Sequence, residues 1–231
     1  MASYMTIKRE NDRIFSEKYT ETMTSEYFPQ FEPVRTGRTV PFELSAHTVK
    51  LTTIECILSN RHKHCAALNF ANALVPGGAY LMGGNAQEES LCRASMLYYA
   101  IKDVKQFYHA NMKHITADYT DGIIWTENVP VIRNDRGEFL AEPVMCDFIT
   151  CPAVNRYESS LLISSKKANE IMERRIGRIV SLARSKKPEL IILGAFGCGA
   201  FGNKREDIMP MFERAINLYT SDDTDIIFAI P

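Results

Sequence analysis

The residues best equipped for chemistry are Glu88 and Glu89, the adjacent acids that close PGGAYLMGGNAQEE, residues 76–89. Paired carboxyl groups suit glycoside cleavage, in which an acid protonates the departing oxygen as an oxocarbenium-like transition state develops. In the first turn of a helix a carboxyl is stabilised as the anion. Service as a general acid there requires burial, or an adjacent phosphate, to lift the pKa from its ordinary value of ~4.3. Successive helical side chains point about 100° apart, so the two acids cannot face one point equally. One is placed to grip a hydroxyl and the other to reach a scissile bond. A lone QEE is more often a solvated first turn, so the glycines ahead of it carry weight. Gly77 and Gly78 let the backbone approach a ligand where side chains would clash.

Two further stretches could bind a phosphorylated sugar. GAFGCGAFGN, residues 194–203, is a glycine-rich turn between an apolar run and a helical pattern, able to present N–H groups to phosphate oxygens. It lacks the GK[ST] ending of a P-loop and does not match G-x-G-x-x-G. NFAN, residues 69–72, places Asn69 and Asn72 at the end of an apolar run. There the amides either meet ribose hydroxyls or cap the turn.

The elements that must position these residues follow from periodicity. Residues 5–23 read as an amphipathic helix on the outside, and 36–58 as short strands. CAALNFA, 65–71, is a buried strand and 86–101 a helix. Residues 123–132 form a pair of extended pieces, NDRGE at 134–138 a turn, and 143–153 a second apolar strand. A helix over 164–185, a strand over 190–196, a helix from Arg205 to Tyr219 and a last strand over 225–231 complete the chain. This alternation predicts an α/β sheet with helices on both faces, where ligands bind beyond the carboxyl ends of strands. NFAN–PGG, PAVN (152–155) and GCGAFGN each follow such a strand, and their convergence is the expected site.

Composition sets the class. Of 231 residues, 45% are hydrophobic and 24% charged, and Lys plus Arg number 27 against 28 Asp plus Glu, a net charge of −1. Nucleic-acid binding driven by bulk charge is not expected. Six cysteines without a CxxC pair read as reduced thiols, neither a zinc site nor a disulfide framework. No apolar h-region or long apolar run occurs, so a soluble, intracellular protein with no membrane partner is expected.

PGGAYLMGGNAQEE resembles the signature of the poly(ADP-ribose) glycohydrolases: a glycine triplet, a spacer of six to eight residues, then QEE. The spacer here, Tyr80–Ala86, has seven. NFAN upstream, PAVN after DFITC, and LGAFGCGAFGN downstream are similar in order to segments that hold ribose and diphosphate in that family. The likeness spans roughly residues 40–231 and is to the compact microbial branch. It implies a macrodomain-like three-layer α/β/α sandwich with a mixed, largely parallel central sheet. A single domain over 1–231 is expected, with 1–35 a peripheral N-terminal helical extension.

Carried over residue by residue, the resemblance makes Glu89 the catalytic acid, protonating the leaving ribose oxygen of the 1″–2′ bond and then serving as base to water. Glu88 would bind hydroxyls of the distal ribose, Gln87 would position the acids, and Asn72, with Asn69 beside it, would face the distal ribose. Gly77, Gly78 and the stretch Gly197, Cys198 and Gly199 would wrap the diphosphate, Phe201 would pack on the distal ribose, and Ala79, Ala200 and Asn155 of PAVN would join the ADP-ribose-binding set. No metal or cofactor is implied. The implied substrate is poly(ADP-ribose) or an ADP-ribosylated macromolecule, handled by a cytoplasmic monomer (nuclear in a eukaryotic host). The large accessory region of the animal enzymes is missing, which implies attack at the polymer end. The pattern departs at Ala79, where the third glycine would stand; an alanine disfavours φ > 0 by about 1 kcal/mol or more, so reduced turnover is expected. Two alternatives share the pocket: a hydrolase of mono-ADP-ribose on protein or nucleobase, and a non-catalytic ADP-ribose reader. A reader needs the glycines and asparagines but not two acids.

Overall fold

The computed structural model describes residues 3–114 and 116–231. At its centre is a seven-stranded sheet of β1 (Thr24–Phe28), β2 (Thr48–Val49), β3 (Cys65–Phe70), β4 (Ile123–Arg133), β5 (Phe139–Cys151), β6 (Leu190–Leu193) and β7 (Ile226–Ala229), in the spatial order β1-β4-β5-β3-β6-β7-β2. The run β5-β3-β6-β7-β2 is parallel, while β4 and β1 are antiparallel to their neighbours. The helices are α1 (Tyr4–Lys18), α2 (Thr53–Ser59), α3 (Gln87–Ala94), α4 (Leu97–Ile101), α5 (Lys105–Met112), α6 (Arg156–Ser159), α7 (Ser165–Ser185) and α8 (Arg205–Tyr219).

Continuous apolar runs such as CAAL and LIIL arise because a central parallel strand is covered on both faces. Alternate residues go to opposite sides. Ala66, Leu68, Ile191 and Leu193 join Ile176 of α7 and Phe212 of α8. Cys65, Ala67, Leu190 and Ile192 join Ile57, Leu91, Leu97 and Phe107 of α2, α3, α4 and α5. The result is the three-layer α/β/α arrangement with a mixed, largely parallel sheet.

Four local expectations need correction. Residues 36–58 hold only one strand, the two-residue β2, with a short helical turn at Leu44–His47, and from Thr53 the chain is helical as α2. Its start is a capping box: Thr52 Oγ1 accepts from Glu55 N at 3.0 Å and Glu55 Oε2 accepts from Thr52 N at 2.9 Å. That reciprocal cap outweighs the β-branched content that reads as strand. The helix expected over 86–101 is broken at Ser95, whose backbone is extended and bridges Val131. Ser95 Oγ donates to Leu91 O, which Ser95 N also reaches, and accepts from Leu97 N in place of the carbonyl a continuous helix would have offered it. The pieces over 123–132 are one strand with an irregularity between Thr126 and Val129, where Asn128 has φ 57°. Finally, residues 24–28 of the supposed helical extension are the sheet's edge strand. All six cysteines are free thiols, and among the described residues no helix is long and apolar enough to cross a membrane.

Candidate active site

At the carboxyl ends of the central strands three loops enclose a cleft of about 360 Å³. Phe70, Asn72, Ala86, Gln87, Glu88 and Glu89 line it from β3 and α3, Ala153 from the segment after β5, and Ala195, Gly197, Gly199, Ala200 and Phe201 from the loop after β6. The acids are not a solvated first turn: Glu88 is 2% exposed and Glu89 7%.

α3 is tied to the end of β3 by Gln87. Its Oε1 accepts from Phe70 N at 2.8 Å, and its Nε2 donates to Leu68 O at 2.7 Å and Thr53 Oγ1 at 3.1 Å. With Gln87 spent on the scaffold, the next two side chains enter the cleft. Glu88 has both oxygens engaged: Oε1 accepts from Asn69 Nδ2 at 3.2 Å and Oε2 from Asn72 N at 2.7 Å. Glu89 has one oxygen engaged, Oε1, which accepts from Ala79 N at 2.8 Å; its buried Oε2 meets no partner among the described residues. A buried acceptor left open is costly unless a ligand completes it.

Gly78 explains the close approach. It has φ 56°, and a Cβ there would collide with Glu89 Oε1 and lie 3.2 Å from Glu88 Oε2. Gly77, with φ 69°, would place a Cβ 3.0 Å from the Tyr98 ring. Neither glycine lines the cleft, nor does Ala79; the turn backs the acids. The third position needs no glycine, since Ala79 has φ −89° and ψ 22°. Ala79→Gly is therefore expected to leave turnover within about twofold and to lower stability by about 0.5–1 kcal/mol, through a freer unfolded chain. Steady-state kinetics and urea unfolding check this.

Asn69 is fully buried and bonds Glu88 and Thr150 Oγ1, so it stands behind the acid and not in the cleft. The Asn72 side chain caps its own turn, with Oδ1 accepting from Leu74 N and Val75 N at 2.9 Å each, while the residue itself lines the cleft. Asn155 lies outside the lining and caps α6 by accepting from Tyr157 N and Glu158 N. Cys198 is half-buried and also outside the lining, its Sγ 3.7 Å from Phe196 O, and burial pushes its thiol pKa up.

In the glycine loop, the N–H groups of Gly199, Ala200 and Phe201 have no acceptor among the described residues, and α8 begins at Arg205 just beyond. Open N–H groups in a turn form an anion cradle. Gly197 has φ 71°, and a Cβ there would strike the Ala153 methyl. Asn203, absent from the sequence-based set, shapes the loop by donating from Nδ2 to Val154 O at 2.8 Å and Gly197 O at 3.2 Å. Phe201 leans on Tyr119, ring centroids 6.4 Å apart. A second chamber of about 290 Å³ adjoins the cleft, sharing Phe70, Gln87 and Ala195, with Thr52, Thr53, Asn85, Ala229 and Pro231 on its walls. Tyr119, Thr52, Thr53, Ala229 and Pro231 had no motif to announce them, because contacts between distant segments bring them in.

The family profile described as microbial-type PARG, catalytic domain, matches residues 2–134. The chain belongs to this family. Among solved structures, poly(ADP-ribose) glycohydrolase from Thermomonospora curvata, bound to the inhibitor ADP-HPD, superposes with a TM-score of 0.83 at 25% identity, covering 98% of this chain and 92% of that one. The Deinococcus radiodurans enzyme in complex with ADP-ribose superposes with a TM-score of 0.75 at 31% identity, covering 79% and 76%. Among curated proteins no sequence matches significantly.

In this glycohydrolase family member Glu88 carries a pH signature. Burial pushes the Glu88 pKa up from 4.5 to about 8; the charge of Glu89 adds to the rise, and the donors Asn72 and Asn69 oppose it. The folded state therefore binds this proton more tightly than the unfolded chain does. The contribution to stability is whole below pH 4.5, is lost as pH rises toward 8, and levels off above. Glu88→Gln removes the titrating group and should flatten that slope, while setting one amide N–H against the Asn69 or Asn72 donor. Urea midpoints between pH 5 and 9 measure it, and an unchanged slope would refute the assignment.

Proposed function

We propose that the chain is a poly(ADP-ribose) glycohydrolase that hydrolyses the ribose–ribose O-glycosidic bond and releases ADP-ribose. The observation that carries this reading is Glu89, pinned through one oxygen by Ala79 N while the other is buried without a partner, on a cleft wall shared with an anion cradle. Crystal structures of relatives with ADP-ribose and with ADP-HPD support the ligand class.

In this reading the diphosphate lies on the open N–H groups of Gly199, Ala200 and Phe201, with the start of α8 behind them. The distal ribose packs between Phe201 and the acids, and adenosine extends into the adjoining chamber. Glu89 gives a proton from Oε2 to the leaving 2′ oxygen as the bond to C1″ breaks. The carboxylate so formed takes a proton from water as it adds to C1″, which restores the acid. Glu88, held by Asn69 and Asn72, accepts from ribose hydroxyls. Gly77, Gly78 and Ala79 act on the substrate through the acids they back.

We further infer terminal attack by a cytoplasmic monomer. In a digest of labelled poly(ADP-ribose) the first product is then free ADP-ribose and not oligomer, released by a species of 26.2 kDa in solution. Binding of ADP-ribose without any release would overturn the enzyme reading and leave the non-catalytic reader. Release only from mono-ADP-ribosylated protein would move the substrate.

A further inference from the structure

α1 leaves the cleft open and instead grips the loop that leads to the acids. Tyr4 Oη donates to Asn85 Oδ1 at 2.7 Å, across 81 positions of sequence. Its ring covers Gly83, where φ is 82° and a Cβ would lie 2.6 Å from Tyr4 Cδ2. The Arg93 guanidinium lies 5.0 Å from the centroid of the same ring, and Arg93 Nη1 donates to Gly84 O. Gly84 N in turn donates to Ala79 O at 2.9 Å. A Cβ on Gly84 would press on the Ala79 methyl and lie 3.1 Å from Glu89 Cγ. Ala79 N holds Glu89 Oε1. An unbroken run of contacts thus joins Tyr4 to the acid.

Resting on the glycohydrolase reading, we propose that Tyr4 is a positioning residue for Glu89, a clasp that holds the Gly83–Asn85 loop in its working geometry. Two consecutive glycines give that loop little intrinsic preference and much entropy to lose on ordering. Its order is therefore supplied from outside, by a ring over Gly83 and a hydrogen bond to Asn85. The helix does not depend on Tyr4 for its own docking. Asn11, fully buried at its middle, donates to Arg93 O at 3.1 Å and accepts from Arg133 Nε at 3.4 Å. Tyr4 itself is 42% exposed.

Tyr4→Ala is expected to lower kcat about 10-fold, within the range that small displacements of a catalytic group produce, with KM and the thermal midpoint nearly unchanged. Tyr4→Phe keeps the ring over Gly83, loses only the bond to Asn85, and should restore most of the rate. A readout that needs no turnover is amide exchange at Ala79 by NMR, since that N–H is the one bonded to Glu89; it should speed up at least about fivefold in Tyr4→Ala as the local opening becomes easier. Unchanged Ala79 exchange in Tyr4→Ala overturns the clasp. So does a fall in kcat matched by a large rise in KM and a lowered midpoint, the pattern of a purely structural role. A wild type that releases no ADP-ribose sinks the glycohydrolase reading, and Ala79 exchange still decides the clasp.

Discussion

Glu89→Gln abolishes most of the release of ADP-ribose from poly(ADP-ribose), lowering kcat by roughly 10³-fold while ADP-ribose affinity stays within about threefold. The amide keeps the size of the side chain and can still accept from Ala79 N, the bond that orients the carboxyl. What it loses is the carboxyl group's capacity to give and take a proton at Oε2, the buried atom without a partner. General acid–base catalysis contributes about 10²–10⁴-fold, so the loss appears in kcat and leaves the diphosphate cradle intact. Initial rates on labelled polymer, together with calorimetric titration of ADP-ribose, separate the two quantities. A variant that turns over at the wild-type rate would remove Glu89 from the mechanism. Equal losses of rate and affinity would make it a binding residue.

Gly78→Ala is the second large effect, although it adds a single methyl. The residue sits at φ 56°, where an alanine costs about 1 kcal/mol or more. Its Cβ would also collide with Glu89 Oε1 and crowd Glu88 Oε2 at 3.2 Å. The flexible side that can give way is the carboxyl group of Glu89, whose displacement is the damage. Loss of the Ala79 N contact and a shift of even 1 Å at the acid predict a fall in kcat of roughly 10²-fold. Unfolding should ease by about 1–3 kcal/mol. Steady-state kinetics and urea midpoints measure both. Wild-type values would show that the turn has slack and does not set the acids. Comparison with Ala79→Gly one position on is instructive, because the same motif tolerates that exchange in the opposite direction. The motif's third position is conformationally ordinary here, so the expectation of reduced turnover from Ala79 has no backbone basis.

How much was legible can be argued from single residues. CAALNF and LIIL announced central parallel strands because burial on both faces demands unbroken apolar runs. The helix over 164–185 was legible because its apolar face has a 3.6-residue period over many turns. By contrast, α2 lay unread among strand-like residues although Thr52 and Glu55 spelled its cap. Ser95 broke a helix that periodicity carried straight through, since the bridge to Val131 is a partner far away in sequence. Among the site residues, Glu88, Glu89 and the glycine loop occupy the cleft wall that their motifs suggested. Asn69 belongs to the same motif yet is fully buried behind Glu88, a distinction that spacing does not contain.

The chain by itself determined its family and the layered α/β plan, and set two adjacent acids after a glycine-rich turn, because motif order, apolar periodicity and residue chemistry are local properties written along the backbone. Only the tertiary structure decided which acid is free. Glu88 and Glu89 are chemically identical and adjacent, and their difference is made by Asn69, Asn72 and Ala79 arriving from other segments. Burial and hydrogen bonding are relations between distant parts of the chain, and they alone separate a carboxyl group with both oxygens engaged from one with an oxygen left open.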